Sequence, residues 1–475
     1  MLKTYQEEVA AKGVKCVAEE TLAKAKAVHE KLNNVVTFVD YDDSHLESAN
    51  KDSYFYGVPI ALKDNVNTKG IRTTASSVIL DNYIPVYDAT ITKKLKEAGA
   101  ILIAKTSLDE LGMGGTNKCA ATGPVLNPYD LDRISGGSSG GSATIVAANV
   151  VPFAIGTDTG DSIRKPASYC GVVGVKPTYG RISRYGIIPY ASSLDHVGFF
   201  TRSVEDAAKA LYTLAGRDDH DMTSSQLPVE DYYALLNSDV AGKRIGVLKN
   251  VTDAINDSKI MDQFNALLDK LTEKGAIIDY VELDEALVRT MLPAYHIIAN
   301  AEATANHSNL DGIRFGNTQE GATMEEVMVK TRTNGFGKLI RQRFVIGSYV
   351  LFVENQEKIF RKAQKVRRLL VDQYASFFNN HDAIIAPAAG SGAPLLEGAT
   401  GIDSLSDEYL IAENHLVINN FTGYPSMTMP LGYTEENMPV GVNISTRPFT
   451  EQEMFNIALS VEEITGLKNL HKEVC

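Results

Sequence analysis

Eight consecutive residues, Ser135-Gly-Gly-Ser138-Ser139-Gly-Gly-Ser142, hold four glycines and four serines. Glycine weakens helix and strand interiors, so this stretch reads as a loop. The apolar run Ala143 to Ala148 behind it reads as a helix, which gathers loop amides at a helix N-terminus. That arrangement suits two chemistries. It can cradle a phosphate, but neither a Gly-Lys-Ser/Thr nor a strand-borne Gly-x-Gly-x-x-Gly accompanies it. Alternatively, a serine hydroxyl and backbone amides can serve acyl transfer. A flexible surface loop fits the glycine count equally well.

A second serine sharpens the choice. Val151-Pro-Phe-Ala-Ile-Gly156 predicts a strand and Thr157-Asp-Thr-Gly-Asp-Ser162 a tight turn, so Ser162 stands where a strand ends and turn amides converge. A ten-residue helix climbs roughly 15 Å and a six-residue strand returns roughly 20 Å. Ser138 and Ser162 can therefore meet at one end of a sheet. No histidine lies in either loop to act as base, leaving Lys63 and Lys165. Lys63 follows the apolar run Val58 to Leu62, and burial there would favour its neutral form. Its plain alternative is a surface cation. Lys165, beside Arg164, reads as a solvated charge.

The elements that must position these residues alternate between helix and strand. Residues 1–35 are rich in Lys, Glu and Ala and read as helical. Val58–Leu62 predicts a strand, Ala89–Ala98 a helix stopped by Gly99, and Ala100–Ala104 a second strand. Ser107-Leu-Asp-Glu110 has the spacing of a capping box that would open another helix. Further on, Lys243–Leu248 and Ala276–Val281 read as strands around an amphipathic helix, Asp257–Lys274, with Ile260, Phe264, Leu267, Leu268 and Leu271 on one face. The pattern predicts an α/β fold in one continuous domain over residues 1–475. It would carry an N-terminal helical segment, 1–50, and a more divergent subregion at about 205–310. The polar stretch Gly216–Ala241 is the natural boundary of that subregion.

Composition removes several classes. The 475 residues carry 46 Lys+Arg against 59 Asp+Glu, a net charge of −13 that repels phosphate and disfavours an autonomous grip on nucleic acid. With 44% hydrophobic residues, a sizeable core is expected rather than disorder. Cys16, Cys119, Cys170 and Cys475 are too sparse for a disulfide framework, and the nine histidines lack metal-ligand spacing. Ala143–Gly156 is too short to span a bilayer, and the first residues lack the apolar run of a secretory leader. The expectation is a reduced, soluble, cytoplasmic protein without a resident metal.

Three segments together resemble the amidase signature family: Gly57-Val-Pro-Ile-Ala-Leu-Lys63-Asp64-Asn65, the Gly136–Ser142 loop, and Asp158-Thr-Gly-Asp-Ser162-Ile-Arg164. Gly171–Arg181 and Ala191–Asp195 extend the likeness. Leu292–Glu302, Asp311–Arg314, Gly335–Lys338 and Lys362–Arg367 are similar, within it, to the glutaminase subunits of glutamyl-tRNA(Gln) amidotransferases. The resemblance implies a mixed sheet wrapped by helices and a Ser-cisSer-Lys triad. Ser162 would be the acyl nucleophile, Ser138 the cis-peptide serine that relays its proton, and Lys63 the base. Amides of Thr159, Gly160 and Asp161 would hold the oxyanion. Arg343 would meet the α-carboxylate of glutamine and Glu413 its α-amino group. Ser139 and Ser142 would cap the following helix. Ammonia would pass to partner subunits B and C, which use ATP and Mg to amidate Glu-tRNA(Gln); no cofactor binds this chain.

Four positions depart from the family pattern. Asp161 stands where a glycine is usual, placing a carboxylate beside a developing oxyanion. Lys165 replaces a common glutamine, Phe199-Phe200 follows Gly198 where a proline is usual, and Glu413 is one methylene longer than the usual aspartate. Two alternatives follow: a free-standing amidase for small amides, or a silent scaffold in which Asp161 blocks the chemistry.

Overall fold

In the computed structural model, which describes residues 1–398, 406 and 408–474, eleven strands form a single mixed sheet. They are β1 (Val35–Phe38), β2 (Pro59–Lys63), β3 (Ile101–Thr106), β4 (Ala154–Asp158), β5 (Val173–Lys176), β6 (His196–Thr201), β7 (Arg244–Leu248), β8 (Ile277–Val281), β9 (Ala383–Pro387), β10 (Ser426–Tyr433) and β11 (Pro439–Thr446). Their order is β1-β3-β2-β4-β6-β5-β10-β11-β9-β7-β8. β2 runs parallel to β3 and β4, and β7 runs parallel to β8 and β9. The remaining neighbours are antiparallel. This is the expected α/β architecture, and the subregion beyond residue 205 supplies β7 and β8 at the edge of the same sheet.

The first five α-helices are α1 (Leu2–Lys12), α2 (Val14–Leu32), α3 (Thr90–Glu97), α4 (Gly140–Ala147) and α5 (Arg164–Cys170). The N-terminal helical stretch is broken at Gly13, whose φ of 87° is left-handed. β4 begins three residues later than expected, at Ala154, because Pro152 has no N–H for the ladder. The amphipathic helix is present as Ser258–Glu273; Asp257 Oδ1 accepts from Lys259 N at 2.9 Å and Ile260 N at 3.1 Å, and the apolar face is buried.

Successive strand residues face opposite sides of a sheet, and here each side has its own core. Ile60, Leu62, Phe153, Ile155 and Phe199 enter the larger core. Ala61, Ile103, Ala154 and Phe200 enter the second, with Val28, Leu32, Ile145 and Val146 from α2 and α4. Phe199 and Phe200 thus serve one core each. Alternation also sets the direction of Lys63: it shares the face of Ala61, the side covered by α4.

The capping box at Ser107–Glu110 does not form. Glu110 instead accepts from Ser77 Oγ at 2.5 Å and from Gly337 N at 3.0 Å, and Leu111 takes a left-handed φ of 54°. Those long-range bonds compete successfully with the local helix. Cys16, Cys119 and Cys170 are free thiols, and Cys475 lies outside the described residues. No helix among the described residues is long and apolar enough to cross a membrane.

Candidate active site

Parallel pairing places the ends of β2 and β4 side by side, with Ala61 opposite Ala154 and Leu62 opposite Ile155. α4 runs back before β4, so its first turn lies at the same end. The Gly/Ser loop, Lys63 and the turn around Ser162 therefore converge, in keeping with the lengths of the intervening elements. The Ser162 carbonyl accepts from Ser139 N at 3.2 Å, joining the two loops directly. The Gly137–Ser138 peptide is cis.

Lys63 is fully buried and donates to Ser138 Oγ at 2.8 Å, Ser139 Oγ at 2.7 Å and Thr157 Oγ1 at 2.9 Å. Burial drives its pKa down to about 7, against the opposing pull of Asp109, Asp158 and Asp195. A lysine that loses its proton near neutrality can take one from a hydroxyl. The plain surface-cation reading of Lys63 is thereby excluded.

The turn carrying Ser162 is held from beneath by a buried ion pair. Arg164 Nη2 lies 2.8 Å from Asp158 Oδ1, and the same guanidinium donates to Gly160 O, Leu416 O and Asn420 Oδ1. Asp158 Oδ2 accepts from Ile163 N at 2.9 Å. Burial alone would raise the Asp158 pKa, but the Arg164 charge holds it well below the usual carboxylate range. Thr159 Oγ1 donates to Asp195 Oδ1 at 2.7 Å, which pins the other side of the turn. Among the described residues, the N–H groups of Thr159, Gly160 and Asp161 reach no protein acceptor. Three free amides beside a hydroxyl suit a developing oxyanion.

Asp109 supports the serine loop. Its Oδ2 accepts from Asn117 N at 2.8 Å, and its own N–H donates to Ser138 O at 3.3 Å. A Cβ on Gly137 would stand 2.0 Å from Asp109 Oδ2, so only glycine fits.

Several sequence readings are corrected by these contacts. Lys165 is not solvated: its side chain is 6% exposed and its Nζ lies 2.7 Å from Glu413 Oε2. Ser139, at the N-cap position of α4, makes no capping bond because its Oγ is taken by Lys63 and Thr157 O. The orphan helix amides go instead to Asn117 Oδ1 and Ser107 O. Ser142 ties the helix to the sheet through Thr106 Oγ1 and Ile155 O.

Arg343 and Glu413 both reach the neighbourhood, on different elements. Arg343, on the helix Lys338–Leu351, donates from Nη1 to Tyr190 Oη at 2.6 Å and leaves a buried Nε without a partner. Glu413 carries Lys165, Tyr169, Gly390 and Ser391 on its carboxylate. Sequence reasoning missed Thr157, Asn65, Asp158, Arg164, Asp109 and Tyr190. Asp158, Arg164 and Asn65 lay inside the recognisable segments, and their spacing from Ser162 and Lys63 was the available signal. A cavity of about 240 Å³ borders the lysine side, with Asn65, Thr157, Thr159 and Asp195 among its lining residues.

The family model described as Amidase matches residues 17–455 of the chain. The A subunit of the glutamyl-tRNA(Gln) amidotransferase of Lactobacillus delbrueckii subsp. bulgaricus is 40% identical over 451 residues, covering 94% of this chain and 92% of that protein. The crystal structure of the corresponding A subunit from Thermotoga maritima, also a glutamyl-tRNA(Gln) amidotransferase, aligns with a TM-score of 0.79 and 34% identity, over 95% of this chain and 92% of that one. Native peptide amidase from Stenotrophomonas maltophilia aligns with a TM-score of 0.81 and 26% identity, over 99% of this chain and 98% of the other.

Proposed function

The chain belongs to the amidase family, and on that premise we propose that it is the glutamine-hydrolysing subunit of a tRNA-dependent amidotransferase. The observation that carries this reading is Lys63, buried and bonded to Ser138 Oγ at 2.8 Å beside a turn with three free amides. The 40% identity to the A subunit of a glutamyl-tRNA(Gln) amidotransferase supports the choice of reaction.

In this mechanism neutral Lys63 draws the proton of Ser138, which draws that of Ser162. Ser162 Oγ attacks the side-chain amide carbon of glutamine, and the oxyanion rests on the N–H groups of Thr159, Gly160 and Asp161. The C–N bond breaks, the proton returns through Ser138 to the leaving nitrogen, and ammonia departs from a γ-glutamyl ester on Ser162. Water, deprotonated by the same relay, cleaves the ester to glutamate. The balance is glutamine plus water to glutamate plus ammonia. This chain needs no cofactor for these steps. Subunits B and C, working with it in the cytoplasm, use the ammonia with ATP and Mg to convert Glu-tRNA(Gln) to Gln-tRNA(Gln). A net charge of −13 is consistent with a partner holding the tRNA.

The test is ammonia release from glutamine by the chain with its partner subunits, followed by mass spectrometry after reaction with a glutamine-derived electrophile. A label on Ser162 is expected. No ammonia from the assembled complex, or a label elsewhere, overturns the reading. The likeness to a peptide amidase supports one alternative, a free-standing amidase; full activity on simple amides without partners would favour it. Loss of ammonia release in Ser162→Ala with the complex still assembled excludes a silent scaffold.

A further inference from the structure

Glu413 has no acceptor left to offer. Its Oε1 accepts from Gly390 N at 2.9 Å and Ser391 Oγ at 3.0 Å, and its Oε2 from Lys165 Nζ at 2.7 Å and Tyr169 Oη at 3.0 Å. A carboxylate has about four lone-pair positions, and the protein fills all of them. Lys165 also cancels the charge; burial alone would raise the Glu413 pKa, but the lysine holds it below the usual range. An incoming ammonium would find neither a free oxygen nor an unbalanced charge there.

Asp161 presents the opposite situation one residue before Ser162. Its carboxylate has no hydrogen-bond partner among the described residues, and it is partly exposed. The charged groups that face it are Lys165, Asp158, Arg164 and Glu413. Asp158 is matched by Arg164 and Glu413 by Lys165, so Asp161 is the unmatched charge of the set. Tyr295 joins this corner to Arg343. Its ring lies within 2.9 Å of where a Cβ on Gly160 would stand, and its phenol feels both the Asp161 and Arg343 charges. An unpaired anion and a guanidinium with a free Nε thus flank one phenol.

We propose that Asp161, rather than Glu413, receives the α-ammonium group of the amino-acid substrate while Arg343 takes its carboxylate. This assignment rests on the glutaminase reading above. It also resolves the hazard of a carboxylate beside an oxyanion hole. With the substrate ammonium bound, the Asp161 charge is cancelled before the oxyanion forms. An amide without that ammonium leaves the charge in place to oppose it. Asp161 would then select for amino acids by rate as well as by binding.

The experiment compares glutamine with 4-carbamoylbutyrate, the same amide lacking the α-amino group, using the chain assembled with its partner subunits. Asp161→Asn should lower the ratio of kcat/KM for glutamine over 4-carbamoylbutyrate by about 10- to 100-fold, the scale of a lost charge-assisted hydrogen bond. Glu413→Gln should move that ratio less than Asp161→Asn does. In the unsubstituted complex, KM for glutamine should rise as pH falls through about 6, where burial places the Asp161 pKa despite nearby Lys165. That rise should be absent in Asp161→Asn. A ratio unchanged in Asp161→Asn, or a larger fall in Glu413→Gln, overturns the assignment while leaving glutamine hydrolysis intact. A complex that releases ammonia from neither amide removes the glutaminase reading itself and the assignment with it.

Discussion

Lys63 Nζ sits 2.8 Å from Ser138 Oγ across 75 residues of chain, with both side chains buried. The contact exists because parallel pairing puts the end of β2 next to the strand that follows α4, while side-chain alternation turns Lys63 toward the α4 face. Removing that amine should abolish proton relay without emptying the core. Lys63→Met and Ser162→Ala are expected to lower ammonia release by roughly 10²- to 10⁴-fold. Lys63→Arg should be as inactive as Lys63→Met, because a guanidinium cannot become neutral near pH 7. Substantial turnover in Lys63→Arg would remove the lysine from the base role.

The pH dependence follows from burial. Desolvation brings Lys63 to about 7, so the amine is protonated below that pH and free above it. kcat/KM should climb with pH through about 7 and level off above it. Stability should move the same way. Between about 7 and 10.5 the unfolded chain keeps a proton that folded Lys63 has released, so folding becomes more favourable as pH rises across that window. A flat rate profile from pH 6 to 8.5, measured as initial ammonia release, would contradict this.

The Asp158–Arg164 pair makes a separate prediction about stability. Both side chains are fully buried, so Arg164→Ala leaves an uncompensated charge inside and should destabilise the fold by about 3–5 kcal/mol. Denaturant titration would measure it. Because Asp158 is held below the ordinary carboxylate range, the pair's contribution is complete above the unfolded Asp pKa. It fades only as pH falls toward the lower folded value.

Gly137 is required for space. A methyl there would meet Asp109 Oδ2 at 2.0 Å and Asn117 N at 2.6 Å, atoms that support the Ser138 loop. Gly137→Ala should lose most ammonia release. Gly115→Ala, where nothing lies within 4 Å of the new carbon, should retain it. Equal activity in the two variants would show that the loop tolerates displacement.

Much of the site was legible because it is local in pattern. Ser162 follows the end of one strand, Lys63 ends another, and the Gly/Ser loop opens a helix; each is visible within a dozen residues. The failures share the reverse property. Lys165 looked solvated because its partner, Glu413, lies 248 residues away. Glu110 looked like part of a helix cap because its real partners, Ser77 and Gly337, lie 33 and 227 residues away. Ser139 looked like a cap because Lys63, which takes its hydroxyl, lies 76 residues upstream.

By itself the sequence determined the strand and helix alternation, the identity of the loops and the residue types available for acyl chemistry. These depend on periodicity and backbone preference, which act between near neighbours. Tertiary structure alone decided which charges meet. It paired Glu413 with Lys165 and Asp158 with Arg164, and it left Asp161 unmatched beside Ser162. Electrostatic energy depends on distance and burial, and neither exists for a pair of residues until the chain has folded.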